Sequence, residues 1–139
     1  MECSVKWMEG GMSFVAETES GHVLVMDGAP EAGGRNIAPR PMEVVLAGTG
    51  GCTAFDVVLI LRKSGQQISG CEVRLSATRA ETDPKVFTAI HMHFIVRGKD
   101  VKPSLVASAV KLSHAKYCSA SAMLEKTATI THDYEIIPE

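Results

Sequence analysis

Aromatic side chains are scarce in this sequence, at 5% of 139 residues. A protein that stacks unpaired bases needs a platform of them, so single-stranded nucleic acid is an unsuitable partner. Basic clusters are missing too, and the formal charge is −2. That removes the electrostatic footprint of phosphate-backbone binding. The four cysteines include no CxxC and no His/Cys finger spacing, so nothing supports a zinc site. No basic n-region and apolar h-region follow Met1-Glu2, and the expectation is a cytoplasmic protein. In that reducing setting its cysteines are expected to be thiols rather than a disulfide framework. No repeat or low-complexity stretch interrupts the chain, which suits a single domain spanning 1–139 with a modest core.

Charge is also missing from one long segment. Residues 44–61 carry only Asp56 and reach the bare length of about 18 apolar residues for a membrane span. A mid-segment Asp would cost about 2.5–3.5 kcal/mol on insertion. Thr49, Thr53 and three glycines add little hydrophobicity. The segment is therefore read as a core helix, with no membrane partner.

The rest of the chain alternates between two periods. Residues 3–8, 12–18 and 22–27 are strand-like runs separated by Gly10-Gly11 and Ser20-Gly21, which are hairpin-type turn signals. Residues 28–41 hold three prolines and Gly33-Gly34, which block regular structure. A helix is expected from Pro41 to Lys63, with Pro41 in its first turn and Ser64-Gly65 as its stop. Gly48, Gly50 and Gly51 would let another backbone approach that helix closely. Cys71, Val73, Leu75 and Ala77 alternate with polar residues as a half-buried strand. After a turn at Asp83-Pro84, Val86 to Val96 carry a second one. Pro103 opens a helix whose apolar stripe runs through Val106, Val110 and Tyr117, and a last strand covers about 127–137. The order βββαββαβ is an α+β fold with antiparallel sheets around a long buried helix. Because the first helix is apolar on nearly every face, it needs cover from all sides. A second copy of the chain would supply it, and a homodimer is the expectation.

Two cysteines stand in unlike settings. Cys52 lies within the apolar helix, in Gly50-Gly51-Cys52-Thr53, and Cys118 ends the second helical pattern, in Tyr117-Cys118-Ser119. If the fold joins them, one sulfur can attack an oxidant and the other close a disulfide. Taken alone, Cys52 is more often a buried inert thiol than a nucleophile. Reactivity would call for a nearby cation, and Arg35 and Arg40 precede the helix, with Glu43 able to hold an arginine by a bidentate contact. Arg35 is preferred, because Arg40 is flanked by Pro39 and Pro41, whose fixed φ angles leave it little freedom to turn inward. Cys71 falls on a core face, and Cys3 carries no pattern. His91 and His93 share one strand face, where Ala89 and Ile95 flank them without further ligands. His114 lies one turn before Cys118 and is either a tuning group or a surface histidine. Asp56, one turn after Cys52, reads as an acid satisfied by a hydroxyl or an arginine.

Taken together, Gly33-Gly34-Arg35-Asn36, Pro41-Met42-Glu43, residues 46–57 around Gly50-Gly51-Cys52-Thr53, and Lys116-Tyr117-Cys118-Ser119 resemble the OsmC/Ohr family, in its general OsmC-like branch. The resemblance implies an intertwined homodimer with active sites at the subunit interface, and a thiol peroxidase without metal or organic cofactor. By match, Cys52 would be the peroxidatic residue that reduces an organic hydroperoxide, and Cys118 the resolving one. A dithiol reductant, in some members lipoyl-linked, would restore the pair in oxidative stress defence. The family's glutamate directly follows the helix-start proline, where this chain has Met42, with Glu43 one residue later. The hydroperoxide branch draws its arginine from the first hairpin turn, where this chain has Gly10-Gly11-Met12. The alternative is a non-catalytic OsmC-like dimer that binds a small apolar ligand in the interface cleft, with Met12 and Met42 as adaptable walls.

Overall fold

The computed structural model describes residues 1–139 and divides into two compact units, Met1–Ala47 and Gly48–Glu139. In the first, strands β1 (Cys3–Met8), β2 (Ser13–Thr18) and β3 (Val23–Asp27) form an antiparallel meander in the order β1-β2-β3. Trp7 stands opposite Phe14, and Phe14 opposite Met26, so apolar residues align across one face. Gly10 (φ 102°) and Gly21 (φ 84°) turn the two hairpins in a backbone region that L side chains resist. A 3-10 turn at Pro30–Ala32 and an irregular loop then lead to helix α1.

Helix α1 spans Pro41–Lys63, and Gly65 (φ 76°) ends it as expected, with its N–H donating to the Arg62 carbonyl. Thr49, Gly50, Thr53, Val57 and Leu61 mark its buried face, recurring at helical spacing. The other face is open, with Phe55 68% exposed alongside Val45 and Leu59. By length and mean hydropathy α1 would also suffice to cross a membrane; here Val57 and Leu61 are fully buried in the second unit's core. The close approach expected at the glycines occurs at Gly50 alone, and against a side chain rather than a backbone. A Cβ there would lie 2.6 Å from Leu75 Cδ1, while Gly48 and Gly51 face open space.

The second unit is built on a three-stranded sheet, β4 (Gln67–Arg79), β5 (Phe87–Lys99) and β6 (Thr129–Pro138), in that order. Strands β4 and β5 are an antiparallel hairpin, but β5 and β6 run parallel, which corrects the expectation of antiparallel pairing throughout. The cause is the connection. Helices α2 (Pro103–Leu112) and α3 (Ser119–Leu124) carry the chain back along the sheet, the crossover that a parallel pair requires. Ile90, Met92, Phe94 and Val96 from β5 meet the core with Val106, Ala109 and Val110 from α2. Each such side chain larger than Ala contributes roughly 1.5–3 kcal/mol on full burial.

The second helical pattern does not run unbroken to Tyr117. It ends at Leu112, and residues Ser113–Tyr117 form a single π turn in which the Cys118 N–H reaches the Ser113 carbonyl at 2.8 Å. The wider turn shifts the phase of everything after it, and Leu112 and Tyr117 are left exposed.

Candidate functional site

Cys52 and Cys118 come together in the second unit. Both are free thiols, Cys52 half-buried and Cys118 only 2% exposed, and the Cys52 side chain is a hydrogen-bonding neighbour of Cys118. Cys118 also caps α3, its sulfur accepting from the Ser121 hydroxyl at 3.1 Å and from the Ser121 backbone N–H at 3.4 Å. Burial pushes the Cys118 thiol up, the Ser121 donors pull it down, and Cys52 pushes it up again, so that it ends above its ordinary value. Such a sulfur is protected when idle, with two donors in place for a thiolate when one forms.

A buried polar chain runs beside the pair. Ser113 Oγ donates to Asp56 Oδ2 at 2.9 Å, and Thr53 Oγ1 lies 2.7 Å from the same Ser113 oxygen. Since the Ser113 proton serves Asp56, Thr53 is the donor in the second bond. Asp56 is therefore satisfied by a hydroxyl, one of the two partners expected for it.

The first unit holds the arginines. Asp27, 1% exposed, accepts backbone N–H bonds from Gly28 (2.8 Å), Arg35 (3.0 Å) and Ile37 (3.3 Å). Burial alone would raise this carboxyl, but the three N–H donors and the Arg35 charge outweigh it and hold it below the usual range. The Arg35 guanidinium lies over the first hairpin turn. A Cβ on Gly11 would stand 3.0 Å from its Nε, and the Gly11 carbonyl is held by Trp7 Nε1–H at 2.8 Å. Arg40 donates from Nη1 to Asn36 Oδ1 at 2.6 Å, and its backbone N–H is accepted by Glu43 Oε1 at 2.8 Å. Glu43 thus closes the first turn of α1, as the glutamate of a capping box does, in place of the bidentate arginine contact expected of it.

The comparisons agree with one another. The family model described as OsmC-like protein matches residues 33–133. The chain belongs to the OsmC-like family. Protein YhfA of Escherichia coli K12 is 50% identical over 137 residues, covering 99% of this chain and 98% of that one. A hypothetical protein from Aquifex aeolicus is 27% identical with a TM-score of 0.85, covering 99% and 96% of the two chains. An organic hydroperoxide resistance protein OsmC from Legionella pneumophila superposes with a TM-score of 0.69 at 15% identity, covering 97% of each chain, a likeness of fold.

Within this OsmC-like fold, three participants escaped the sequence reading. Asp27 ends β3 just before Gly28, a recognisable Asx-turn signal. Ser113 and Ser121 look like ordinary helix-surface serines, and only the π turn gives them their roles. His91 and His93 do share a face of β5, but the parallel neighbour β6 supplies what Ala89 and Ile95 do not. Asp133 Oδ1 lies 3.1 Å from His91 Nε2 and 2.6 Å from His93 Nδ1, and Glu135 Oε1 lies 3.1 Å from His93 Nε2. These four groups engage one another. His114 stands 3.9 Å from Glu125 and stacks at a tilt on His132 (centroids 5.6 Å apart), away from any printed contact with Cys118. Burial pushes the Cys71 thiol up, in keeping with its place on a packed strand.

Proposed function

We propose that this OsmC-like protein is a thiol peroxidase that reduces organic hydroperoxides, with Cys52 peroxidatic and Cys118 resolving. The observation that carries the reading is the meeting of these two thiols from α1 and from the turn before α3. The Cys52 thiolate attacks the outer peroxide oxygen; the O–O bond breaks, the alcohol leaves with a proton, and Cys52 becomes a sulfenic acid. Cys118 then attacks that sulfur, forming the disulfide and releasing water, and a dithiol reductant reverses the oxidation by exchange. Arg35 is assigned the cation that favours the thiolate and steadies the departing oxygen. The open apolar face of α1, with Phe55, Val45 and Leu59, supports an obligate homodimer in which a second copy covers it. The expected result on adding cumene hydroperoxide is loss of both thiols per chain, abolished by Cys52→Ser. Intact thiols after prolonged exposure would sink the assignment.

A second reading has its own support. Burial raises the Cys118 thiol, and the Met12 side chain fills the space over Gly28 and Gly33, where a Cβ would meet it at 3.1 and 3.5 Å. These features suit a dimer that binds a small apolar ligand without turnover. Alkylation of Cys52 by iodoacetamide at neutral pH separates the two: faster than free cysteine for the peroxidase, no faster for the binding module.

A further inference from the structure

We propose that Ser113 is a positioning residue that sets how fast Cys118 closes on oxidised Cys52, while leaving the first attack on peroxide to Cys52 alone. The inference rests on the peroxidase reading above and deepens it. Ser113 is fully buried and bonded in three directions. Its hydroxyl accepts from Thr53, the residue after Cys52, and donates to Asp56, one helical turn further along α1. Its carbonyl accepts the Cys118 N–H across the π turn. One residue thereby ties the backbone that carries the resolving sulfur to the helix that carries the peroxidatic one.

The closing step needs this tie more than the first step does. A disulfide forms only with the sulfurs about 2.05 Å apart and a torsion near 90°, a narrow target for two thiols on separate elements. In closing, the Cys118 thiolate attacks the Cys52 sulfenic sulfur; the S–S bond forms, the S–O bond breaks, and hydroxide leaves and takes a proton to become water. Every atom of that step except Cys52 itself lies on the segment that Ser113 holds. Peroxide attack by Cys52 uses none of the π turn. Loss of the Ser113 hydroxyl should slow closure roughly ten- to hundred-fold, the usual penalty for misplacing a reacting group by about an ångström.

The test is a stopped-flow and mass-spectrometric comparison of the full-length protein with Ser113→Ala, using cumene hydroperoxide. The sulfenic acid is trapped with dimedone, and the sulfinic product is counted at high peroxide. The expected result is an unchanged second-order rate at Cys52, a longer-lived sulfenic acid, and more sulfinic acid than in the wild type. Unchanged closure overturns the proposal, and so does an equal fall in both steps, which would mark a merely structural residue. Thr53→Val, which removes only the donor to Ser113, carries the same expectation and decides the matter if Ser113→Ala does not fold. A parallel arm uses diamide, a two-electron thiol oxidant that closes dithiols without peroxide. If the wild type ignores hydroperoxide, the peroxidase reading fails, and slower diamide closure in the variants still supports the positioning role while equal closure overturns it.

Discussion

The Asp27 carboxylate accepts the Arg35 backbone N–H at 3.0 Å, so an acid at the end of β3 fixes the loop position of an arginine eight residues later. The same carboxylate holds Gly28 and Ile37, and it stays ionised because these donors keep its pKa low. If Arg35 assists Cys52, Asp27 acts through it. Asp27→Asn replaces one acceptor oxygen by an NH2 group facing N–H donors and should slow Cys52 alkylation as much as Arg35→Ala does. The double variant should be no slower than either single one. Additive losses would separate the two residues, and Arg40→Ala, whose guanidinium is already bonded to Asn36, should change nothing.

Gly11 gives a second test of that arginine. A Cβ at this position meets Arg35 Nε at 3.0 Å and Nη2 at 3.1 Å, both near the flexible end of a side chain. Gly11→Ala should therefore fold with a Tm close to wild type yet displace the guanidinium. Peroxide consumption should fall several-fold in steady-state assay with no loss of circular dichroism. Full activity in this variant would mean that the place of Arg35 over the hairpin is irrelevant to catalysis.

Ser121 bears on the resolving thiol. Its hydroxyl and N–H both donate to Cys118 Sγ and favour the thiolate against a burial effect that opposes it. Ser121→Ala removes the shorter bond and should push the Cys118 thiol further up. A hydrogen bond to an ionised group contributes about 1.5–3 kcal/mol, so the shift should be readily measurable by ultraviolet titration of thiolate in a Cys52→Ser background. No shift, or a fall, would show that the hydroxyl does not serve the sulfur.

Much of this was legible from residue order. Proline at the first helical position and Ser64-Gly65 at the end give both bounds of α1, and Pro103 gives the start of α2, because each acts through local backbone geometry. The conversion of residues 113–117 to a π turn was not legible, since it depends on burying Ser113 against Thr53 and Asp56 from α1. The parallel placement of β6 was hidden for a related reason: strand alternation reports which face is buried, never the direction of the neighbour. Glu43 illustrates a different limit. Its spacing from Arg40 fits a bidentate ion pair or a helix cap, and the free N–H groups at the start of α1 decide for the cap.

The proposed dimer has a direct test on α1. Phe55 is 68% exposed and lies in an open pocket with Gly51, Ala54, Val58 and Leu59, an apolar surface with one cation, Arg62, at its margin. Phe55→Glu would bury a charge in any interface formed there. Sedimentation should find the wild type dimeric at every concentration where it is folded, and the variant monomeric or unfolded. A compact folded wild-type monomer at micromolar concentration would contradict the arrangement.

The last prediction concerns the lacing of β5 to β6. His93 faces a carboxylate with each ring nitrogen, so both nitrogens must donate, and the imidazolium is the form that fits. Glu135 and then Asp133 raise its pKa above the ordinary 6.5, while His93 and His91 lower Asp133 below 3.8. The signs give a window. A raised histidine contributes stability that is complete below 6.5 and lost as pH rises through its folded value. A lowered aspartate contributes stability present above 3.8 and lost as pH falls through its own. Wild type should therefore exceed His93→Gln in Tm most clearly between these limits, near pH 5 to 6, and the advantage should shrink by pH 9 and again in strong acid. Both groups are solvent-accessible, so salt should weaken the effect as well. A Tm difference that stays constant from pH 5 to 9 would assign His93 a packing role and remove the charge ladder from the account.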